Sequence, residues 1–296
     1  GGMMIGVSVR FTAAPSIPSD NGLAARATIS SPYCIPPTMP RSPSGIYNWL
    51  VWVLSRRVGR AKGRIGTVIY WILKHLVIGP LIKTIYRPWV EGAENLPATG
   101  PVVIVGNHLS VIDSFIMPLM ISRRVYFLAK SDYFTGRGFK GWLVKNFMLS
   151  VGQLPIDRSG GKASEASLNT GLAVLDRGDV LAIYPEGTRS PDARLYRGRT
   201  GVARLVLESG ALVVPAVMID TEKAMPIGAK VPRIRRIGTL IGKPLDFSRF
   251  AGMSADRFVL RSVTDEIMYE IQQLSGQEYV DVYASSVRGR AASAAR

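Results

Sequence analysis

The chain has 296 residues, 47% of them apolar, and a formal net charge of +16 at pH 7. That length suits one sizeable domain with a small appendage rather than two large domains, and the apolar share suffices for a buried core. The charge points to negative partners (nucleic acid, anionic lipid or phosphorylated substrates), while a single cysteine, Cys34, and two histidines, His75 and His108, exclude an intramolecular disulfide, a C-x-x-C zinc site and a histidine-rich metal cage.

Residues 1–45 are rich in Pro, Ser, Ala and Gly without sustained periodicity and read as a flexible leader; no secretory signal pattern is expected there. Residues 46–87 differ. An apolar run, Ile46–Leu54, carries Trp49 and Trp52, and is followed by Arg56, Arg57, Arg60, Lys62 and Arg64. A second run, Ile65–Leu73, leads through Lys74 and His75 to Leu76–Ile82. Neither run reaches the roughly 18–20 residues needed to span a bilayer. The pattern predicts an amphipathic helix pair lying in the lipid interface, each intervening base adding about 1 kcal/mol of attraction to an anionic surface. A core-packing hairpin with a solvated basic face is the plainer alternative, and a re-entrant pair or one tilted span fits the same text. His75 reads as a solvated or snorkelling residue rather than a ligand.

Residues 88–280 alternate short β-like runs with helical patterns. Strands are expected at Val102–Val105, Val125–Ala129, Val180–Tyr184, Val213–Met218 and Ile237–Ile241. Helices are expected at Ser110–Ile121, Lys140–Met148, Ser164–Asp176, Thr200–Glu208 and Ala255–Leu274. Such alternation predicts an α/β sheet with helices on its faces. Residues 281–296 read as a basic flexible tail.

Four segments carry candidate chemistry. Gly106-Asn107-His108-Leu109-Ser110-Val111-Ile112-Asp113 follows directly on the first apolar strand. An imidazole can take the proton from an attacking hydroxyl, and a carboxylate on its other ring nitrogen fixes the tautomer. Five residues along a helix rotate by about 500°, so His108 is expected in the turn before a helix and Asp113 in its first turn, pointing back. The competing reading makes Ser110 and Asp113 a helix-capping box and His108 a satisfied loop residue. Ser110 as nucleophile is a weaker possibility, since no G-x-S-x-G elbow exists. Tyr184-Pro185-Glu186-Gly187-Thr188-Arg189-Ser190 ends another strand; Arg189 can hold phosphate bidentately and Glu186 can orient a polyol hydroxyl, unless the segment is a β-turn with solvated charges. Leu154-Pro155-Ile156-Asp157-Arg158-Ser159-Gly160-Gly161 offers an arginine before a flexible turn, either an anion site or a surface loop. Val213-Val214-Pro215-Ala216-Val217 alone says edge strand or bulge.

In this order, the four segments resemble the lysophospholipid acyltransferase family, in particular 1-acylglycerol-3-phosphate acyltransferases. Asn107, His108 and Asp113 meet its N-H-x-x-x-x-D motif, Arg158 its second motif, Pro185–Ser190 its P-E-G-T-R-S motif, and Val214-Pro215 its fourth. The resemblance covers roughly residues 88–245. It implies a glycerolipid acyltransferase αβ domain, a central mixed sheet flanked by helices, with the pair at 46–87 as an N-terminal membrane-docking motif. It implies transfer of a fatty acyl group from acyl-CoA or acyl-carrier protein to lysophosphatidate or glycerol-3-phosphate, making phosphatidate for phospholipid synthesis. His108 would be the base and Asp113 its orienter. Arg158 and Arg189 would hold the phosphate, and Glu186 and Gly187 would shape the acceptor site, with Asn107, Thr188 and Lys130 as further binding candidates. No metal and no cofactor beyond the acyl donor is expected, and the expected location is the cytoplasmic face of the cell membrane. Cys34 lies in the leader, which argues against an acyl-cysteine intermediate. An apolar tunnel for the acyl chain is expected near Phe139, Trp142, Phe147 and Met148, whose simpler reading is core packing.

Two decoys drop out. Gly136-Arg137-Gly138-Phe139-Lys140-Gly141 matches G-x-G-x-x-G but does not follow a strand directly, and Gly161-Lys162 is followed by Ala163 rather than Ser or Thr. The rival classes are a different lipid acceptor, a lysophospholipid transacylase or a hydrolase, and a basic nucleic-acid-binding protein. The last explains the charge but leaves the P-E-G-T-R-S turn unexplained, so no nucleic acid is expected as a partner.

Overall fold

The computed structural model describes residues 70–156, 162–229 and 231–294. The leader at 1–45 and residues 46–69 of the expected helix pair lie outside them. The remainder of that pair forms a π-helical turn, Leu73–Val77, running into the helix Ile78–Tyr86. Among the described residues no helix is long and apolar enough to cross a membrane.

A seven-stranded sheet runs in the order β1-β8-β7-β2-β5-β3-β4. The strands are β1 (Trp89–Glu91), β2 (Val102–Val105), β3 (Val125–Lys130), β4 (Gln153–Ile156), β5 (Val180–Ile183), β7 (Leu212–Ile219) and β8 (Gly238–Ile241). All neighbours pair in parallel except β7 with β8. A separate parallel pair joins β6 (Leu195–Tyr196) to β9 (Tyr279–Val280). The sheet is therefore mixed, as expected.

The unbroken apolar run of β2 has a direct cause: the strand is buried on both faces, so alternation would place a polar residue in one core or the other. Val103 and Val105 join a cluster with Leu175, Leu205, Ile267 and Ile271, from the helices Lys162–Leu175, Gly201–Ser209 and Arg257–Ser275. Val102 and Ile104 point the other way, onto Ile116 and Met117 of the helix Asp113–Met120. All four strand residues are buried.

Three expectations change. Pro215 does not sit on an edge: β7 lies between β2 and β8. Its carbonyl accepts from Gly242 N at 2.8 Å, so its nitrogen faces the same way, just beyond Ile241 where β8 has ended, and no ladder bond to β2 is lost. The strand β4, with Pro155, was masked in the sequence by that proline and takes the sheet's edge. Residues 284–294 form a helix, Ala284–Ala294, where a flexible tail is expected. Ala284 is fully buried and Arg288 donates to Thr188, which ties that helix to the domain.

Candidate active site

The parallel strands β2 and β5 deliver their following loops to the same end of the sheet. After Val105 the chain leaves the strand, and Asp113 opens the next helix. Asp113 is fully buried, and its Oδ2 accepts from Leu109 N and Ser110 N, each at 2.8 Å, while standing 3.0 Å from His108 Nδ1. The carboxylate thus folds the loop over itself and holds the imidazole. The capping box of the sequence does not form: Ile112 is the residue before the helix, and Asp113 instead gathers the N–H groups of the loop that holds His108. Ser110 is fully buried and its hydroxyl donates to Met225 O at 2.7 Å, which removes it as a nucleophile.

With Nδ1 on the carboxylate, Nε2 is the nitrogen left to face a substrate. The ring stacks on Tyr184 with centroids 4.0 Å apart and 7° between planes. It is clamped on one face and keeps 18% of its side-chain surface open.

The Pro185–Ser190 turn grips the same residue from both sides. Glu186 Oε1 accepts from His108 N at 3.1 Å, and Ser190 N donates to His108 O at 2.7 Å. Glu186 Oε2 accepts from Tyr196 N at 2.9 Å. Burial pushes the Glu186 carboxyl up to about 7, against the two backbone N–H groups that favour its charged form. With both oxygens engaged and the residue 1% exposed, Glu186 is a strut under the histidine loop and not the polyol ligand that the sequence points to.

Asn107 is a second strut. Its Oδ1 accepts from Met218 N at 2.8 Å, and its amide donates to Met218 O at 3.1 Å and to Gln277 Oε1 at 2.7 Å. It ties the end of β2 to β7, and both of its amide N–H groups are engaged within the protein. Gly187 has a φ of +73°, a turn that favours glycine, and sits against Arg199. Thr188 Oγ1 accepts from Arg288 Nη1 at 2.8 Å. Arg189, half-buried, has no ion-pair partner among the described residues. Lys130 closes β3 but pairs with Asp132, and both are largely exposed. Arg158 lies outside the described residues.

Sequence reading missed Tyr184, Gln277 and Arg288. Tyr184 directly follows β5, so its place beside His108 could be found once β2 and β5 are known to be neighbours. Gln277 and Arg288 reach the site from the far end of the chain, and no local pattern marks them. Among the described residues no group of three or more His, Cys, Asp or Glu could hold a metal ion.

Residues 87–219 match the family described as Acyltransferase, a span that includes the His108–Asp113 pair and the whole Pro185–Ser190 turn. Just under half of the chain is thus similar to that family. The chain is 30% identical over 170 residues to the chloroplastic 1-acyl-sn-glycerol-3-phosphate acyltransferase LPAT1 of Arabidopsis thaliana, covering 57% of this chain and 46% of that protein. It is 27% identical over 191 residues to the 1-acyl-sn-glycerol-3-phosphate acyltransferase of Bacillus subtilis (strain 168), covering 64% of this chain and 88% of that one. The chain therefore spans less than half the length of the first of these relatives and most of the second. Among solved structures, the LPA acyltransferase PlsC of Thermotoga maritima aligns with a TM-score of 0.49 and 18% identity, covering 72% of this chain and 97% of that one.

Proposed function

We propose that this protein moves a fatty acyl group from a thioester donor, acyl-CoA or acyl-carrier protein, to the free hydroxyl of lysophosphatidate or a closely related glycerol-phosphate acceptor, giving phosphatidate. The observation that carries the reading is the buried Asp113 carboxylate, 3.0 Å from Nδ1 of a part-open His108 that is fixed at both its N–H and its carbonyl. Such a pair needs only a hydroxyl placed at Nε2. As the acceptor oxygen attacks the thioester carbon, its proton passes to Nε2. Asp113 stabilises the imidazolium that results. Collapse of the tetrahedral intermediate breaks the C–S bond, and the imidazolium returns the proton to the departing thiolate. The sole cysteine, Cys34, precedes the matched span, in keeping with direct transfer.

Arg189 holds the acceptor phosphate, with Arg158 as its partner on the strength of the sequence pattern. Glu186 and Asn107 act on the histidine loop. A lipid acceptor implies work at a membrane surface, for which we propose the cytoplasmic face, and the +16 charge suits both an anionic bilayer and phosphorylated substrates. The test is to incubate the purified protein with liposomes, labelled palmitoyl-CoA and a panel of acceptors, and to map the acylated position. Labelled phosphatidate that vanishes with His108→Ala supports the reading. Release of free fatty acid alone would make the protein a hydrolase. Acylation in the absence of thioester, from a phospholipid, would make it a transacylase.

A further inference from the structure

We infer that the helix Gly138–Ser150 is a bilayer-docking face, set against an anionic lipid surface next to the histidine site. The inference goes beyond the proposed acyl transfer and is measured without an acyl donor.

Within this helix only Gly141 and Ser150 are buried. Phe139 is 75% exposed, Trp142 59% and Leu143 54%, and Val144, Phe147 and Leu149 are also open. Phe139 and Trp142 stack on each other, with centroids 5.7 Å apart. This is neither the core packing nor the tunnel lining that the sequence leads one to expect of Phe139 and Trp142. Monomers in water rarely leave so many large apolar side chains open around one helix, and such surfaces mark interaction sites.

The rejected G-x-G-x-x-G segment forms the tight entry to this helix. A Cβ on Gly141 would stand 2.1 Å from the backbone of Gly136, and Gly138 opens the helix with a φ of +69°. The close approach of Gly141 to Gly136 folds the helix start tightly onto its own approach loop, with no bulky side chain between them.

The charge pattern chooses the occupant. Arg137, Lys140 and Lys145 are exposed among the apolar residues, and no carboxylate lies between Gly138 and Ser150. The neighbouring acid, Asp132, is paired with Lys130. Aromatic and aliphatic side chains with interleaved bases suit the boundary between headgroups and acyl chains. A nucleic acid would satisfy the bases and leave Phe139, Leu143 and Val144 in water. The helix also lies where a lipid substrate would have to arrive. It follows β3, which runs parallel to β5 and β2, so Phe139 lies towards the end at which β2 delivers His108. Its Phe147 ring packs on Phe115, 6.3 Å between centroids, in the helix that Asp113 opens.

The experiment uses the full chain with Cys34→Ser. A single cysteine replaces either Phe139 or Phe258, the latter 85% exposed on the helix Arg257–Ser275, and carries an environment-sensitive fluorophore. Vesicles of phosphatidylcholine with phosphatidylglycerol are added. The label at position 139 is expected to brighten and shift to the blue, and the label at 258 to stay as in water. In the unlabelled chain, Phe139→Ser with Trp142→Ser lowers the vesicle partition coefficient about tenfold or more. Lys140→Gln and Lys145→Gln each lower it roughly fivefold on anionic vesicles. A label at 139 that stays in water on vesicle-bound protein overturns the inference. So does one already shielded without lipid, whether independently of concentration, which would mean another part of the chain covers the face, or with rising concentration, which would mean a second copy does. Turnover of a water-soluble short-chain acceptor is the separate check on chemistry: it is expected to persist in the Phe139→Ser/Trp142→Ser chain, and its absence from the parent protein would sink the acyl-transfer reading and leave the docking result standing.

Discussion

Replacing Asp113 with asparagine removes one charge and little volume. In the parent, the carboxylate oxygen stands 3.0 Å from Nδ1, so the centres of an imidazolium and the carboxylate would lie about 4 Å apart. At an effective dielectric constant of about 20 that attraction is worth about 4 kcal/mol, present only once the ring is protonated in the transition state. At about 1.4 kcal/mol per factor of ten, kcat should fall about a thousandfold. The fold should survive, because the asparagine carbonyl can still accept from Leu109 N and Ser110 N, and the loss of charge assistance there costs about 1–2 kcal/mol. The assay is the initial rate of lysophosphatidate acylation at saturating acceptor, with thermal unfolding followed by circular dichroism on the same preparation. A folded Asp113→Asn protein that keeps kcat within about tenfold of the parent would refute the argument, since its charge term would then be missing from the barrier.

Asn107→Ala removes three hydrogen bonds and leaves Met218 N unpaired in a buried strand; stability should drop by about 2–4 kcal/mol, and kcat should suffer more than either KM. Unchanged melting would show that β2 and β7 do not depend on this link. For Glu186, a folded value of about 7 against an ordinary 4.5 means the folded state binds the proton more tightly. Its contribution is therefore fully present below about pH 4.5 and is lost as pH rises through about 7, on the order of 3 kcal/mol in all. Melting temperature against pH should flatten in that window in Glu186→Gln, and an unaltered slope would assign the titration elsewhere. Arg189→Ala should raise the acceptor KM about tenfold or more with little change for the donor, while Arg288→Ala, one bond away through Thr188, should raise it less; equal effects on both substrates would remove the phosphate role.

The parts of the fold legible in the sequence are those whose burial is uniform. Val102–Val105 and Leu212–Ile219 are apolar on both faces because helices cover both, and their text reads as strand without a structure. The edges are less legible. Trp89–Glu91 mixes an exposed valine with an acid, Gln153–Ile156 holds a proline, and neither gives a periodic signal, yet each completes the sheet by pairing with one neighbour. The tail misleads for a similar reason. Ala284–Ala294 is small, basic and weakly amphipathic, and what distinguishes it from a solvated segment is long-range: the buried Ala284 and the bond from Arg288 to Thr188.

The site divides along the same line. His108 and Asp113 are five residues apart, so local geometry is enough to pair them. The roles of Glu186 and Asn107 depend instead on which strands are neighbours and in what register. Val105 lies opposite Ile183 across the parallel pair, and three residues further along each chain stand His108 and Glu186, whose bond to the histidine N–H follows from that alignment. On the other side Val105 lies opposite Pro215, which brings Asn107 level with the end of β7 and its bonds to Met218. A slip of one residue between β2 and β5 would carry Glu186 about 3.3 Å past the histidine, turn each alternate side chain to the opposite face, and leave a buried carboxylate without its donor. The histidine loop is thus fixed by the same two ladders that build the core, so a core substitution that disturbs this register, far from any substrate, should lower kcat before it unfolds the domain.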